Sequence, residues 1–389
     1  MNTNRVLSLA REQRTALATA LVIALAPALA AATPAHSAAP GAVQDSARDA
    51  STAGPDGPYV RRLESGAFEC KRVVADDKGP RVEVERLEAE NASFQLALPD
   101  VPEPFVVRLR APASAPQCRL PAPERVFAFS DIEGELGAML RLLRAGNVVD
   151  EQLRWTFGSG HVAYVGDLFD RGVHVTECLW VLYELEARAR EAGGALHFVL
   201  GNHEVMNLTG DLRYVRRKYH ENAALLGEKL EALYANDTVL GQWLRTRNAA
   251  VQLGSELFVH GGVSPKVGEA GLRIEQLNDA LRTALAAERW SRSNDGVLAL
   301  AAGSPDGLIW YRGYLKAPVV AENDLDKLLE QLQVERVVVG HTVVENVGFV
   351  LGGRVLALDV HHASGHSQAA LREKGAWKRI TPGATDVEL

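Results

Sequence analysis

Residues 126–143 read VFAFSDIEGELGAMLRLL. The first four residues form a short apolar run, which ends in the polar pair Ser130-Asp131. From Leu136 onwards, apolar residues recur at the spacing that one face of a helix requires. A strand, a polar loop and a helix in this order form the unit from which α/β proteins are built.

The same pattern recurs along the chain. Other short apolar runs end in Asp, Asn or His, and they occupy residues 162–167 (VAYVGD), 196–203 (LHFVLGNH), 257–260 (LFVH) and 337–341 (VVVGH). Helical patterns follow several of these runs, and we find no internal repeat. The alternation predicts an α/β fold.

The ends of these five predicted strands carry side chains that commonly bind metals. In chain order they are Asp131 with Glu133, Asp167 with Asp170, Asn202 with His203, His260, and His341. A single Asp or His after a strand is usually a structural residue, but five such ends in one chain are hard to explain in that way. Since open α/β sheets place their sites at the carboxyl ends of strands, we predict a metal site there.

The five segments also resemble, in order, the motifs of the calcineurin-like metallophosphoesterases. These segments are residues 130–134 (SDIEG), 166–172 (GDLFDRG), 201–204 (GNHE), 260–262 (HGG) and 340–341 (GH). Arg171 and Glu204 resemble the phosphoprotein phosphatase branch, and residues 310–313 (WYRG) resemble its bacterial Shewanella-like members. The resemblance covers about residues 124–372. It implies a central β-sandwich flanked by helices in four layers.

The resemblance implies a role for each motif residue. Two divalent metal ions would be bound, with Asp167 as the bridge between them. The first metal would take Asp131 and Glu133, and the second would take Asn202, His260 and His341. His203 would protonate the leaving oxygen, oriented by Asp170, while Arg171 would bind the phosphate together with Asn202 and Arg312.

Glu133 departs from the pattern, because the family usually has His at this position. Three carboxylates around the first metal would make an all-oxygen site, which favours Mn²⁺ or Mg²⁺ over Zn²⁺. We therefore expect manganese, with Mg²⁺, Fe or Zn²⁺ as the other candidates. The alternative is that Glu133 weakens the site and makes the chain an inactive metal- or phosphate-binding relative.

The predicted activity is hydrolysis of phosphomonoesters, on a phosphoprotein or a small molecule, by hydroxide that two metals activate. The alternative within the same class of enzymes is a nucleotide or dinucleoside polyphosphate hydrolase.

A basic and aromatic cluster at residues 213–219 (RYVRRKY) could receive an anionic substrate or form a solvated helix face. His361, His362 and His366 follow the last apolar strand, either at the pocket rim or in a surface loop.

The N-terminus predicts export. Three Arg residues precede an apolar run at residues 16–30, which ends in an A-x-A pattern. Residues 1–30 therefore resemble a secretory signal peptide, and an uncleaved membrane anchor is the alternative. We expect a periplasmic or secreted protein, with a flexible linker at 31–57, a small β-rich lead-in at 58–122 and the catalytic domain at 123–389.

The net charge limits the classes of binding partner, and the cysteine content limits the possible disulfides. Lys plus Arg is 42 and Asp plus Glu is 49, so the net charge is −7. This balance disfavours nucleic acid as a partner, and stable membrane association after signal cleavage is not expected. Cys70 and Cys118 could pair in an oxidising compartment, which would leave Cys178 as a buried thiol. The oligomeric state stays open.

Overall fold

The computed structural model describes residues 53–88, 92–112, 114–287 and 296–389, so the predicted signal peptide lies outside the described residues. The strands are β1 (Asp56–Arg62), β2 (Phe68–Asp76), β3 (Gly79–Leu87), β4 (Ser93–Leu96), β5 (Phe105–Arg108), β6 (Arg119–Leu120), β7 (Arg125–Phe129), β8 (His161–Val165), β9 (Ala195–Val199), β10 (Ala250–Leu253), β11 (Glu256–Val259), β12 (Arg336–Val339), β13 (Gly348–Val350), β14 (Val355–Ala357), β15 (Ala369–Glu373), β16 (Ala376–Ile380) and β17 (Val387–Glu388).

The helices alternate with the strands of the catalytic region. They are α1 (Leu136–Ala145), α2 (Val175–Glu191), α3 (Asn202–Leu208), α4 (Arg217–Leu225), α5 (Val239–Arg245), α6 (Pro265–Glu269), α7 (Ile274–Ala286), α8 (Gly296–Ala302) and α9 (Glu322–Leu332). Short 3₁₀ helices lie at Leu230–Tyr234, Leu351–Gly353 and His362–Ser364. In the part of the chain that the structure describes, no helix combines the length and the apolar character needed to span a bilayer.

Two six-stranded sheets form the centre of the fold. One has the order β17-β16-β15-β7-β8-β9, and the other has the order β13-β14-β12-β11-β10-β6. Strands β7, β8 and β9 are parallel, as are β11, β12 and β14, so their carboxyl ends lie at one edge of each sheet. The loops after all six strands can therefore place their residues at the same edge of the sandwich.

Side chains along the strands alternate between two apolar clusters, one on each face of the sheet. Val126 and Ala128 of β7 share one apolar cluster with Phe258 of β11 and Val338 of β12, which is the core between the two sheets. The intervening residue Phe127 belongs to the cluster that packs against the helices. Side chains that alternate in this way bury both faces of each sheet. The predicted α/β fold, a central sandwich flanked by helices, is confirmed.

The N-terminal region packs against helix α2. Strands β1–β3 and β4–β5 form two small antiparallel sheets. The indole N–H of Trp180 donates to the Pro58 carbonyl oxygen at 2.8 Å, and the Phe94 ring lies 4.9 Å from the Trp180 ring. The predicted linker at 31–57 is corrected at its end, because the buried Asp56 already begins β1.

The cysteines are free thiols in this structure. Cys70 is buried in β2, whereas Cys118 is half-buried next to β6. The pairing of these two residues, which the sequence left open, is therefore not present in this structure. Cys178 is fully buried in α2, as its apolar surroundings in the sequence predict, and burial raises the pKa of its thiol well above the usual value.

Candidate active site

Five strand ends bring their polar residues to one edge of the sandwich. Asp131 follows β7, Asp167 follows β8, Asn202 begins α3 after β9, and His260 and His341 follow β11 and β12. The two sheets are connected at this edge, because the backbone N–H of His341 donates to both carboxylate oxygens of Asp131, at 3.2 and 3.1 Å. All five side chains are at least nine-tenths buried. The structure thus brings five of the six predicted ligands to one edge, and the sixth, Glu133, is described below.

Asp167, His260 and His341 form the centre of this group. Their potential ligand atoms all lie within 4.8 Å of one another. The His260 Nε2 atom lies 3.0 Å from Asp167 Oδ2 and 3.2 Å from Asn202 Oδ1. Nitrogen and oxygen donors at these separations can converge on one cation.

The environment of the two histidines fits a divalent cation. His260 Nδ1 lies 2.7 Å from the Val165 carbonyl oxygen, which fixes a proton on Nδ1 and directs Nε2 at the cluster. His341 Nε2 is buried and has no hydrogen-bond partner among the described residues. A buried ring nitrogen without a partner is costly, and a bound cation would satisfy it.

The charges in the cluster shift its pKa values strongly. Burial alone would raise the pKa of Asp167, but His260 and His203 outweigh it and hold that pKa well below its usual range. Burial likewise opposes protonation of His260, yet Asp167 raises the pKa of this ring to about 10. The pKa of Asp131 rises to about 6 through burial and through the charge of Asp167. The cluster therefore binds positive charge, which is the property that a metal site needs.

His203 and Asp170 form a second functional pair. His203 Nδ1 lies 2.5 Å from Asp170 Oδ2, and the other Asp170 oxygen accepts a hydrogen bond of 3.0 Å from the Asn207 amide. Burial would lower the pKa of His203, but Asp167 and Asp170 outweigh it and raise that pKa. His203 is therefore held in one orientation and favoured in its protonated form.

Glu204 connects the loop after β8 to helix α3. Its buried carboxylate accepts backbone hydrogen bonds from Asp167, Leu168, Phe169 and Gly201, at 2.6 to 3.3 Å. The carbonyl oxygens of Gly166 and Asp167 accept hydrogen bonds from the N–H groups of Asp131 and Glu133. Glu204 satisfies the backbone N–H groups of the same loop. Because Glu204 directly follows His203 in the chain, its hydrogen bonds hold the loop that carries Asp167 against the start of the helix that carries His203.

Glu133 lies beside Arg171 rather than in the histidine cluster. The two side chains form an ion pair, and half of the Arg171 side chain is exposed. The Arg171 guanidinium also lies 5.8 Å from the centre of the Tyr214 ring, and that ring lies 5.3 Å from the His203 ring. An exposed aromatic side chain therefore borders both the predicted proton donor and the predicted phosphate-binding arginine.

Arg312 lies next to His341. Its guanidinium donates to the His341 carbonyl oxygen and, at 3.2 Å, to the Thr342 hydroxyl. Among the charges that act on it are those of Asp167 and Asp131. Arg312 is thus near the site, and phosphate binding by its guanidinium stays a prediction.

Sequence reasoning missed Asp359. This residue is buried, follows β14 and is subject to the charges of Asp131, His260, Asp167 and Arg171. Burial and the charge of Asp131 raise its pKa well above the usual value. The signal was present, since residues 355–359 (VLALD) form another apolar run that ends in Asp.

The loops of the site have an unusual backbone. Asp131, Glu133, Asp167, Asp170, Arg171 and His341 all have positive φ, between 47° and 73°. A Cβ atom at Gly201 would overlap the Asp167 carboxylate, and one at Gly340 would overlap that of Asp131. Such strain is tolerated where the surrounding structure holds functional groups in place.

The fold and these strand-end residues together define a phosphoesterase. Residues 124–345, more than half of the chain, match the calcineurin-like phosphoesterase family. The chain belongs to this family, and its phosphatase relatives make it a phosphoesterase enzyme. The resemblance seen in the motifs is confirmed.

Two of the similar proteins are Shewanella-like protein phosphatases. The chain is 27% identical over 298 residues to Shewanella-like protein phosphatase 2 of Arabidopsis thaliana, across 64% of this chain and 74% of the relative. It is 24% identical over 227 residues to Shewanella-like protein phosphatase 1 of Plasmodium berghei, across 56% of this chain and 61% of that protein.

A solved structure has the same fold over most of the chain. The cold-active protein-tyrosine phosphatase of a psychrophilic Shewanella species is 32% identical, with a TM-score of 0.78, and it covers 86% of this chain and 99% of its own. The similarity extends beyond the family domain and includes much of the N-terminal region.

Proposed function

We propose that this protein is a phosphomonoesterase that uses two divalent cations, manganese first among them. The observation that carries the proposal is the buried His203–Asp170 pair, 2.5 Å apart, beside the cluster of Asp167, His260 and His341. A proton donor next to a cation-binding cluster is what hydrolysis of a phosphate ester requires.

The cations would be held by the residues of the five strand ends. The proposed ligands are Asp131, Asp167, Asn202, His260 and His341. When bound, divalent cations polarise phosphoryl oxygens and lower the pKa of a water molecule. The Nε2 atom of His341, which has no hydrogen-bond partner in the described part of the chain, supports this assignment.

The protein's own groups supply the other requirements. The half-exposed Arg171 presents a guanidinium fork that matches two phosphate oxygens. His203 donates its proton to the oxygen of the departing alcohol, and Asp170 stabilises the ring while it is positively charged. Asn207 holds Asp170 through the second carboxylate oxygen, so the donor keeps its direction.

We infer that aryl phosphates, and phosphotyrosine in particular, are the preferred substrates. Tyr214 is 46% exposed and lies next to both His203 and Arg171, where its ring could contact a flat leaving group. The similar Shewanella protein is described as a protein-tyrosine phosphatase, which supports the same choice.

The direct test is turnover after metal removal. The purified chain is treated with a chelator, and Mn²⁺, Mg²⁺, Fe²⁺ or Zn²⁺ is then restored singly with p-nitrophenyl phosphate as substrate. We expect restored turnover, highest with Mn²⁺. No turnover with any of these metals, from a folded protein, would contradict the proposal.

Substrate class is tested on the same preparation. Peptides with phosphotyrosine or phosphoserine are compared with ATP and diadenosine tetraphosphate by phosphate release. We expect Tyr214→Ala to lower kcat/KM for the phosphotyrosine peptide about tenfold, while Tyr214→Phe, which keeps the ring, stays close to wild type. Faster hydrolysis of the nucleotides than of either peptide would favour the alternative activity.

We also propose that the protein is exported. The support is the segment of residues 1–30, with its Arg residues, its apolar run and its A-x-A ending. Expression of the full chain in a bacterium, followed by fractionation and N-terminal sequencing, should give a periplasmic protein that begins after Ala30. Full-length protein in the membrane fraction would contradict this.

A further inference from the structure

The basic and aromatic cluster at residues 213–219 is divided by the structure into exposed and buried members. Arg213 and Arg217 are exposed and form ion pairs with nearby Asp211 and Glu221. Lys218, in contrast, is only 6% exposed. A lysine is rarely buried to this degree unless its ammonium group has partners. The inference below concerns those partners, and it rests on the proposed function because it involves the phosphate-binding role of Arg171.

Lys218 and Tyr219 donate to and accept from the loop that carries Arg171. We call residues 171–175 the Arg171 loop. The Lys218 Nζ atom donates to the carbonyl oxygen of Val173 at 2.6 Å. The hydroxyl oxygen of the buried Tyr219 accepts a hydrogen bond of 2.9 Å from the backbone N–H of Val175. Two neighbouring side chains of α4 therefore hold two points of this loop.

The residues just before α4 contact the backbone of Arg171 itself. The Nε atom of Arg216 donates to the Arg171 carbonyl oxygen at 2.5 Å. The Arg171 N–H donates to the Tyr214 carbonyl oxygen in a longer hydrogen bond of 3.5 Å. Residues 214–219 thus hold the Arg171 loop at three places, namely Arg171, Val173 and Val175.

The backbone at the start of this loop needs such support. Asp170 and Arg171 have φ values of 73° and 55°, in the left-handed region that residues other than glycine disfavour. Conformations of this kind persist where contacts from the surrounding structure hold them in place. The hydrogen bonds from Lys218 and its neighbours are contacts of that kind.

Helix α4 is itself fixed by the N-terminal region. Asn222 lies one helical turn after Lys218 and is fully buried. Its amide donates to the Asp56 carboxylate at 3.1 Å and to the Gly54 carbonyl oxygen at 3.0 Å. The Gly54 N–H donates back to the Asn222 side-chain oxygen at 3.1 Å. The helix therefore offers a firm base from which Lys218 can hold the loop.

We propose that Lys218 is a positioning residue for the phosphate-binding Arg171. It holds the backbone that follows Arg171, so that the guanidinium starts from one fixed place. The ion pair with Glu133 orients the same guanidinium through its side chain. Lys218 thus favours phosphate binding without contact to the phosphate, which neither an anion-receiving patch nor a solvated helix face describes.

The test compares Lys218→Met with Arg217→Met, the same loss of charge at the neighbouring exposed position. Methionine keeps much of the apolar stem and lacks the donor. Calorimetry on Mn²⁺-loaded protein gives the dissociation constant of inorganic phosphate, and kinetics with p-nitrophenyl phosphate give kcat/KM. We expect Lys218→Met to weaken phosphate binding and to lower kcat/KM, each about tenfold, and Arg217→Met to stay within about twofold of wild type. Unchanged phosphate binding in Lys218→Met would overturn the inference.

A double-mutant cycle separates positioning from a general structural effect. If Lys218 acts through Arg171, its replacement has little left to disturb in a chain that already carries Arg171→Ala. We therefore expect Lys218→Met to change kcat/KM by less than about twofold in that background. A loss as large as the loss in the wild-type background would contradict the proposal.

The leaving group provides a further check, because Asp170 lies next to Arg171 and orients His203. Weaker phosphate binding should affect phenyl phosphate and p-nitrophenyl phosphate equally, whereas impaired proton donation affects phenyl phosphate more. We expect equal losses in Lys218→Met. A clearly larger loss for phenyl phosphate would assign the effect to the His203–Asp170 pair and not to Arg171.

The outcomes distinguish this inference from the proposed function. If Arg171→Ala binds inorganic phosphate as tightly as wild type does, the phosphate-binding role of Arg171 is wrong. If Arg171→Ala weakens binding and Lys218→Met does not, this inference alone is wrong. Should Lys218→Met fail to fold, Tyr219→Phe replaces it, since it removes only the hydroxyl that accepts from Val175. We then expect severalfold weaker phosphate binding, and unchanged binding would again overturn the inference.

Discussion

Two pairs of histidines lie in this sandwich with almost the same ring separation. The ring centres of His161 and His197 are 5.0 Å apart, and those of His260 and His341 are 4.9 Å apart. The first pair lies on neighbouring strands β8 and β9, whereas the second pair lies just past the ends of β11 and β12.

The surroundings of the two pairs differ. His197 Nε2 lies 3.1 Å from His161 Nδ1, so the two rings satisfy each other. Burial lowers the pKa of both, that of His197 to about 3. The other pair has Asp167 beside it, and one ring nitrogen of His341 has no partner among the described residues. Proximity of two rings is therefore not enough to indicate a metal site, and the second pair differs by its buried carboxylate and its unsatisfied nitrogen, which a cation could bind.

Removal of the Asp167 charge should lower turnover more than any other substitution considered. Asp167→Asn takes away the carboxylate that distinguishes the second pair and is the proposed bridge between the cations. We expect kcat for p-nitrophenyl phosphate to fall roughly 10⁴-fold in the presence of Mn²⁺. Steady-state kinetics on folded protein would check this, with Asp386→Asn as the control. A fall of less than tenfold would place the chemistry elsewhere.

The loss of activity on replacing His203 should depend on the leaving group of the substrate. A phenol like that of tyrosine, with a pKa of about 10, needs a proton as it departs, whereas the more acidic p-nitrophenol does not. We expect His203→Asn to lower kcat for phenyl phosphate about 10³-fold and for p-nitrophenyl phosphate much less. Equal losses for the two substrates would contradict its role as the proton donor.

The two histidine pairs can be compared directly by their affinity for manganese. We expect His341→Ala to weaken Mn²⁺ binding about 100-fold, because a ligand is lost. The matched change His161→Ala should leave the affinity within about twofold of wild type. Calorimetry on metal-free protein measures both variants. Similar losses in both would show that ring proximity alone explains binding.

The His161–His197 pair should instead lower the stability of the fold at acidic pH. The pKa of His197 is about 3 when folded, compared with about 6.5 in an unfolded chain. Below pH 6.5 the unfolded chain takes up a proton that the buried ring refuses, so this residue lowers stability as the pH falls. At pH 5 the loss would be about 2 kcal/mol.

The measurement is the free energy of unfolding by urea at pH 7 and at pH 5. We expect His197→Phe to lose less stability between these two values than wild type does, and we expect the exposed-site control His220→Phe to behave like wild type. An identical loss in wild type and His197→Phe would show that the buried pair does not contribute.

Much of the fold and of the site could be predicted from sequence because the signal is local. An apolar run followed by Asp, Asn or His marks a strand end, and parallel strands bring such ends together. Asp131, Asp167, Asn202, His260 and His341 were all found in this way. Family resemblance added roles that the pattern alone does not give, such as that of His203.

Other features depend on contacts between distant segments. The partner of Glu133 is Arg171, 38 positions further along the chain, and no local pattern specifies that pair. Asp359 follows the short strand β14 and belongs to none of the five motif segments, so the family resemblance gave it no role. The positive φ values of residues such as Asp170 have no local signal at all, because glycine is the usual residue there.

The carboxylate of Glu204 has a further consequence for the loop after β8. This loop looks like an ordinary surface turn in the sequence, yet four backbone N–H groups in and beside it donate to one buried side chain. In hydrogen–deuterium exchange the amides of Asp167, Leu168 and Phe169 should therefore exchange as slowly as those of the sandwich core, since they open only when the core itself opens.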